Sequence, residues 1–143
     1  MNPRRSIRGS ALLEGLLAVL IFSIGVLALI GMQANSINAV SESKYRTDAA
    51  FLANQLIGQM WVAAPTSLPN YAYSGSGNAN VVLTSWLAQV NATLPDASAN
   101  PPIVAVVSSV LGSGTQYTVT VTIRYRPPKS TTVHRFTSTA VVS

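Results

Sequence analysis

The sequence predicts an α+β fold: one long N-terminal helix packed on a small antiparallel three-stranded meander. Three observations carry this. No proline occurs between Arg4 and Pro65; the 27 residues Gly15–Ser41 carry no charge; and from Tyr117 to Arg126 apolar or aromatic residues alternate with Thr and Arg. With 143 residues the chain has room for one domain.

The helix comes first. Gly15–Met32 is almost wholly aliphatic. Eighteen such residues at about 1.5 Å each nearly cross a ~30 Å hydrocarbon core, and Ser10–Leu13 complete the span. Arg4, Arg5 and Arg8 precede it, and the positive-inside bias keeps Met1–Gly9 in the cytoplasm, with everything after Met32 across the membrane. A secretory signal would have an apolar core of roughly 7–15 residues. This run is longer and carries a carboxylate, Glu14, near its start. A carboxylate at the centre of a membrane helix costs about 2.5–3.5 kcal/mol and is usually functional. Near the membrane edge Glu14 could simply mark the helix start, but its place five residues after Gly9 favours a specific role.

Past the membrane, Ile37, Tyr45, Ala49, Leu52, Leu56 and Met60 recur at steps near multiples of 3.6, with Asn38, Glu42, Arg46 and Gln55 elsewhere around the wheel. One helix is therefore expected from about Ser10 to Ala63, ~80 Å long. Its first half is apolar all round and its second half amphipathic, facing a globular head. Gly25 and Gly31 have two readings of equal weight, close helix packing or a stretch that loosens when the subunit leaves lipid.

Pro65–Asn80 reads as a loop, with Pro65, Pro69, Gly75 and Gly77 among Ser, Asn and Tyr. Leu83, Trp86, Leu87, Val90 and Leu94 then fit a short helix closed by Pro95, with Thr84 or Ser85 as its cap. After the linker Asp96–Pro102, the run Ile103–Leu111 is mostly apolar and Gly112-Ser113-Gly114 supplies a turn. Tyr117, Val119, Val121, Ile123 and Tyr125 define one face of a half-buried antiparallel strand. Pro127-Pro128-Lys129 turns the chain into a third strand, Val133–Val142.

Composition narrows function. Hydrophobic residues make up 48% and charged residues 9%, while Ser, Thr and Asn supply 38 residues, so a disordered polyelectrolyte and a coiled coil are both excluded. The net charge of +5 suggests nucleic acid until three of the nine basic residues are placed at Arg4, Arg5 and Arg8. There is no cysteine, hence no disulfide, thiolate metal site or cysteine nucleophile.

Chemistry-bearing patterns are sparse. His134 is the single histidine, shares a strand face with Phe136, and reads as a strand-end or half-buried residue. Between Ala49 and Ile123 the sole charged residue is Asp96, which leaves the head no acid pair for glycosidase or two-metal work. Gly75-Ser76-Gly77 and Gly112-Ser113-Gly114 lack the strand–helix–lysine context of phosphate loops. Asn91-Ala92-Thr93 fits a glycosylation sequon but falls on a predicted helix. Arg124, Arg126, Lys129 and Arg135 form the one basic cluster outside the N-terminus. It reads first as the solvated side of a sheet; contact with DNA or an acidic partner is the weaker reading, because Thr rather than aromatics interleaves it. No catalytic, cofactor-binding or metal site is expected, and the chain is read as a non-enzyme.

The stretch Arg8-Gly9-Ser10-Ala11-Leu12-Leu13-Glu14, followed by an unbroken apolar helix, resembles the type IV pilin class. That resemblance implies a leader, residues 1–9, cut by prepilin peptidase after Gly9. Ser10 becomes the mature N-terminus and its N-methylation site, and Glu14 the acidic residue five into the mature chain. Ser10 stands where the class usually has phenylalanine, and Ala11 where it has threonine. Phe22–Gln33, Tyr45-Arg46, Ala49–Leu56 and Met60-Trp61 are similar to the PilV group of minor pilins, over about Arg8–Trp61. The nearest competing resemblance is to the minor pseudopilin I of type II secretion.

The resemblance implies a pilin-like organisation. Residues 10–36 form the transmembrane or filament-core half of the helix, and residues 37–143 a periplasmic or extracellular head that includes its second half. The implied function is that of a structural subunit in initiating or assembling type IV pili, with motility, adhesion or DNA uptake as outputs. Implied partners are prepilin peptidase, other minor and major pilins, and the bacterial inner membrane, which the chain crosses once before entering a pilus filament or tip. The resemblance implies no cofactor and no small-molecule substrate. As an assembly contact, Glu14 would meet the methylated amine of Ser10. A hypothesis of another class makes the head a tip adhesin or DNA-binding module, and the loop Tyr71–Asn80, with Tyr71 and Tyr73, is its one modest candidate.

Overall fold

A computed structural model describes residues 8–111 and 114–143. Five main elements follow one another: helix α1 (Arg8–Val62), helix α2 (Val81–Thr93), and strands β1 (Ile103–Leu111), β2 (Gly114–Tyr125) and β3 (His134–Val142). The architecture is α+β, as the sequence predicts. The chain divides into two units, one ending at Val40 and the other Ser41–Ser143, and α1 contributes to both. The expected leader lies outside the described residues except for Arg8 and Gly9, which are helical. Of the expected turn at 112–114, Gly114 opens β2, and the other two residues lie outside the described ones.

In the first unit α1 exposes its apolar side chains on all sides. The helix is long and apolar enough to cross a membrane, and none of its most apolar 18-residue window is buried. Uninterrupted helix is what 27 uncharged residues without proline permit. Ser23 returns its hydroxyl to the Val19 carbonyl at 2.7 Å, so the hydroxyl is satisfied within the helix itself.

In the second unit the last five turns of α1 bury Ala49, Leu52, Ala53, Leu56, Ile57 and Met60, with Tyr45 packed at the edge of the cluster. Ile37, expected on this face, is 65% exposed and falls in the first unit. Helical spacing named the stripe, but its first residue lies outside the unit that holds the core.

The sheet runs β1-β2-β3, antiparallel throughout. Val121 sits between Val104 and Ser138, and Ile123 opposite Phe136. Val104, Val119, Val121, Ile123, Tyr125 and Val142 turn inward onto the helices and are buried, each large side chain contributing about 1.5–3 kcal/mol. On the other face Thr120 meets Thr139 and Thr122 meets Thr137, each pair of hydroxyls 3.3 Å apart. The sheet is thus the meander that the period-two alternation predicted.

The connections differ from expectation in two places. Pro65–Tyr71, expected to be loop, is a 3-10 helix that buries Leu68, and Tyr73 then pairs with Val104 through two backbone hydrogen bonds of 2.9 and 2.8 Å. Proline at the first helical position, with its fixed φ, starts that turn. The cap of α2 is Asn80 rather than Thr84 or Ser85: its side chain accepts from the Val82 N–H at 3.3 Å. Thr84 lies inside the first turn and bonds back to the Val81 carbonyl.

Candidate functional site

Two places carry polar groups in settings that need explaining. The first is the start of α1. Ser10 and Glu14 are four residues apart in one helix, so they lie one turn apart on the same side. Both are exposed, and Glu14 has no hydrogen-bond or ion-pair partner among the described residues. It is the sole charge between Arg8 and Glu42. The geometry brings the predicted methylation site and the predicted assembly residue together; Gly9, the predicted cleavage residue, is in the helical backbone just before them.

The second is a cleft of about 360 Å³ in the Ser41–Ser143 unit, lined by Glu42, Arg46, Tyr125, His134, Arg135 and Phe136. Helix α1 supplies Glu42 and Arg46, one turn apart. β3 supplies His134, Arg135 and Phe136 from its first three positions, and β2 ends on Tyr125. Register explains the convergence, since Tyr125 is paired with His134 across the β2–β3 ladder. His134 faces inward with Phe136 as expected. Its Nδ1 lies 3.4 Å from Glu42 Oε1, and its ring stacks on Tyr125 at 5.8 Å between centroids. Tyr45 packs against the same tyrosine at 6.4 Å. Burial raises the Tyr125 hydroxyl above the usual tyrosine range, and the Glu42 carboxylate adds to the rise while Arg46 opposes it. The cleft sets two guanidinium groups beside the Glu42 carboxylate, which His134 already meets, and this excess of positive charge suits it to holding an anionic group.

Sequence reasoning singled out His134 but placed Glu42 and Arg46 only as wheel positions outside the apolar stripe. Their i, i+4 spacing was the available signal. The basic cluster is broken up by the fold. Arg124 donates through Nε and Nη2 to the Pro101 carbonyl at 3.1 and 2.6 Å. Arg126 is bound to Asp96, with Nε 2.8 Å from Oδ2 and Nη2 on the same oxygen. The Arg126 N–H also bonds to the Pro95 carbonyl, and the Asn100 side-chain amide donates to the same Asp96 Oδ2 at 3.0 Å. Two of the four cations thus pin the linker 95–101 to the end of β2 and the residue that follows it, leaving Lys129 and Arg135 for other partners. Tyr71 and Tyr73, the adhesin candidates, are half-buried and pack against the core.

Among the described residues no three His, Asp or Glu side chains converge to hold a metal ion. Asn91 and Thr93, the sequon positions, are both exposed on α2. No protein-family model, curated protein or solved structure matches the chain.

Proposed function

We propose that this chain is a minor type IV pilin, closest to the PilV group, and acts as a structural subunit in starting or building a pilus. The observation that carries the reading is Gly9 placed directly before the exposed, mostly apolar stretch 10–41 of α1, whose single charge is Glu14, one turn beyond Ser10. A helix so apolar needs lipid or other helices around it. Filament subunits have both in succession, first as membrane-held monomers and then as members of a bundle. Glu14 is hydrated at the membrane edge in the monomer; in the bundle water is lost, and the acid requires a cation. The amine freed by cleavage before Ser10 is that cation, on a neighbouring subunit or on its own.

Mass spectrometry of the mature N-terminus tests the reading. A chain beginning at Ser10 is expected, and one beginning at Met1, or cut near Ala34, refutes it. A bulky residue in place of Gly9 should leave the precursor uncut. Glu14→Gln should be made, processed and inserted at wild-type level, yet be recruited poorly to sheared filaments. Equal incorporation in competition with wild type would remove the role given to Glu14.

A further inference from the structure

The charges of Ser41–Ser143 separate into paired and unpaired groups. Among the described residues Glu42 meets His134 and Asp96 meets Arg126. Asp48, the third acid of this unit, has no hydrogen-bond or ion-pair partner among the described residues, although it is half-buried. Arg46 and Arg135 likewise have no carboxylate partner, although both line the cleft beside His134. A half-buried carboxylate and two guanidinium groups sharing one cleft are complementary, because a carboxylate accepts two parallel N–H bonds from a guanidinium.

They cannot meet within one copy. Asp48 follows Arg46 by two residues of α1, and at about 100° per residue their side chains leave the helix roughly 160° apart. Arg46 lies on the flank that faces the start of β3 across the cleft, where it stays exposed. Asp48 is on the side of Leu52, whose carbonyl receives the Trp86 indole N–H of α2. Since the two groups occupy opposite flanks, a two-fold contact cannot engage both at once. A head-to-tail contact engages one from each copy and leaves the other pair open for the next.

We propose that a second copy of this chain inserts its Asp48 carboxylate into the Arg46–Arg135 cleft, the two 41–62 helical segments running in the same direction. This inference rests on the filament-subunit reading and gives it a specific contact between heads. The contact has a direction, because every assembly of copies ends with one free cleft at one end and one free carboxylate at the other.

Charge exchange tests it with the full chain, carried under two different tags in one cell and captured from detergent-solubilised membranes. The first variant is Arg46→Glu with Arg135→Glu; the second is Asp48→Arg. Each alone should lose self-capture by about tenfold or more, since like charges then face each other. Co-expressed, the two should recover capture of one by the other, because each supplies the charge its partner lacks. Arg46→Gln with Arg135→Gln, and Asp48→Asn, give milder losses in the same direction, and equal membrane abundance together with equal protease resistance of the 41–143 unit establishes that all variants are inserted and folded. The proposal falls if wild type does not capture itself, if the charge-reversed variants capture themselves as wild type does, or if mixing restores nothing. It also falls if only the arginine variants lose association, because the acid then comes from another protein. The mature N-terminus is read on the same samples. Cleavage before Ser10 without charge dependence overturns this contact alone, whereas charge-dependent capture by an uncut chain overturns the pilin reading and leaves the contact standing.

Discussion

Trp86 is the joint between α2 and α1, and its loss should be felt in the whole Ser41–Ser143 unit. The ring is 2% exposed, and its Nε1–H donates to the Leu52 carbonyl at 2.9 Å. Trp86→Phe removes this hydrogen bond, about 0.5–1.5 kcal/mol net. The lost ring atoms leave space that the packed cluster of Leu52, Leu56 and Leu83 fills only in part, which at ~24 cal/mol per Å³ adds about 1 kcal/mol for ~40 Å³. The sum is about 2 kcal/mol, from a unit of this size whose total stability is on the order of 5–15 kcal/mol. Expressed as melting temperature, the shift is roughly 8–16 °C downward. The fragment 37–143 should be soluble and give a mixed helix–sheet circular dichroism spectrum whose thermal transition measures this. Trp61 provides the control: it is 64% exposed, and Trp61→Phe should move stability by no more than about 0.5 kcal/mol. A Trp86→Phe transition within ~2 °C of wild type would refute the argument that the indole N–H and its volume join the two helices. A wholly helical or unfolded fragment would refute the assignment of the core to Ser41–Ser143.

Two further outcomes follow from local geometry. Because the folded state holds the Tyr125 proton more tightly than the unfolded chain, the unfolded state loses it first as pH rises. Stability is thus unaffected below the ordinary tyrosine pKa of about 10 and falls above it, and Tyr125→Phe should flatten that alkaline decline in a urea-midpoint series across pH. Lys129 has φ 69°, the third residue of a turn closed by the Ser130 N–H on the Pro127 carbonyl, with Pro128 before it. This geometry favours glycine, and Lys129→Gly should relieve about 1 kcal/mol of backbone strain, partly offset by a freer unfolded chain; a lowered melting temperature would contradict it.

Much of this architecture follows from short-range pattern. An uninterrupted helix requires only that nothing break it, and the proline-free stretch up to Pro65 meets that condition locally. The alternation at Tyr117–Tyr125 specifies a half-buried strand because the side-chain period of a strand is two wherever it is paired. The N-terminal feature is legible for the same reason, since Gly9, Ser10 and Glu14 are neighbours in the chain.

What the sequence did not disclose depends on which distant groups meet. Asn80 displaced Thr84 and Ser85 as the cap because the first turn of α2 starts at Val81, earlier than its apolar stripe. Arg124 and Arg126 read as a solvated charge cluster until the fold set the Pro101 carbonyl and Asp96 beside them. The cleft has no local signature at all. Glu42 and Arg46 are ordinary surface residues of a helix, and His134 and Arg135 the first residues of a strand, until β3 is laid along that helix by the inward faces of Phe136 and Val142. By itself the sequence determined the helix, the alternating strand and the acid at the start of the membrane-length run, because each is a matter of spacing along the chain. Tertiary structure alone decided which charges are satisfied and which are left to face a partner, because pairing depends on distance in space.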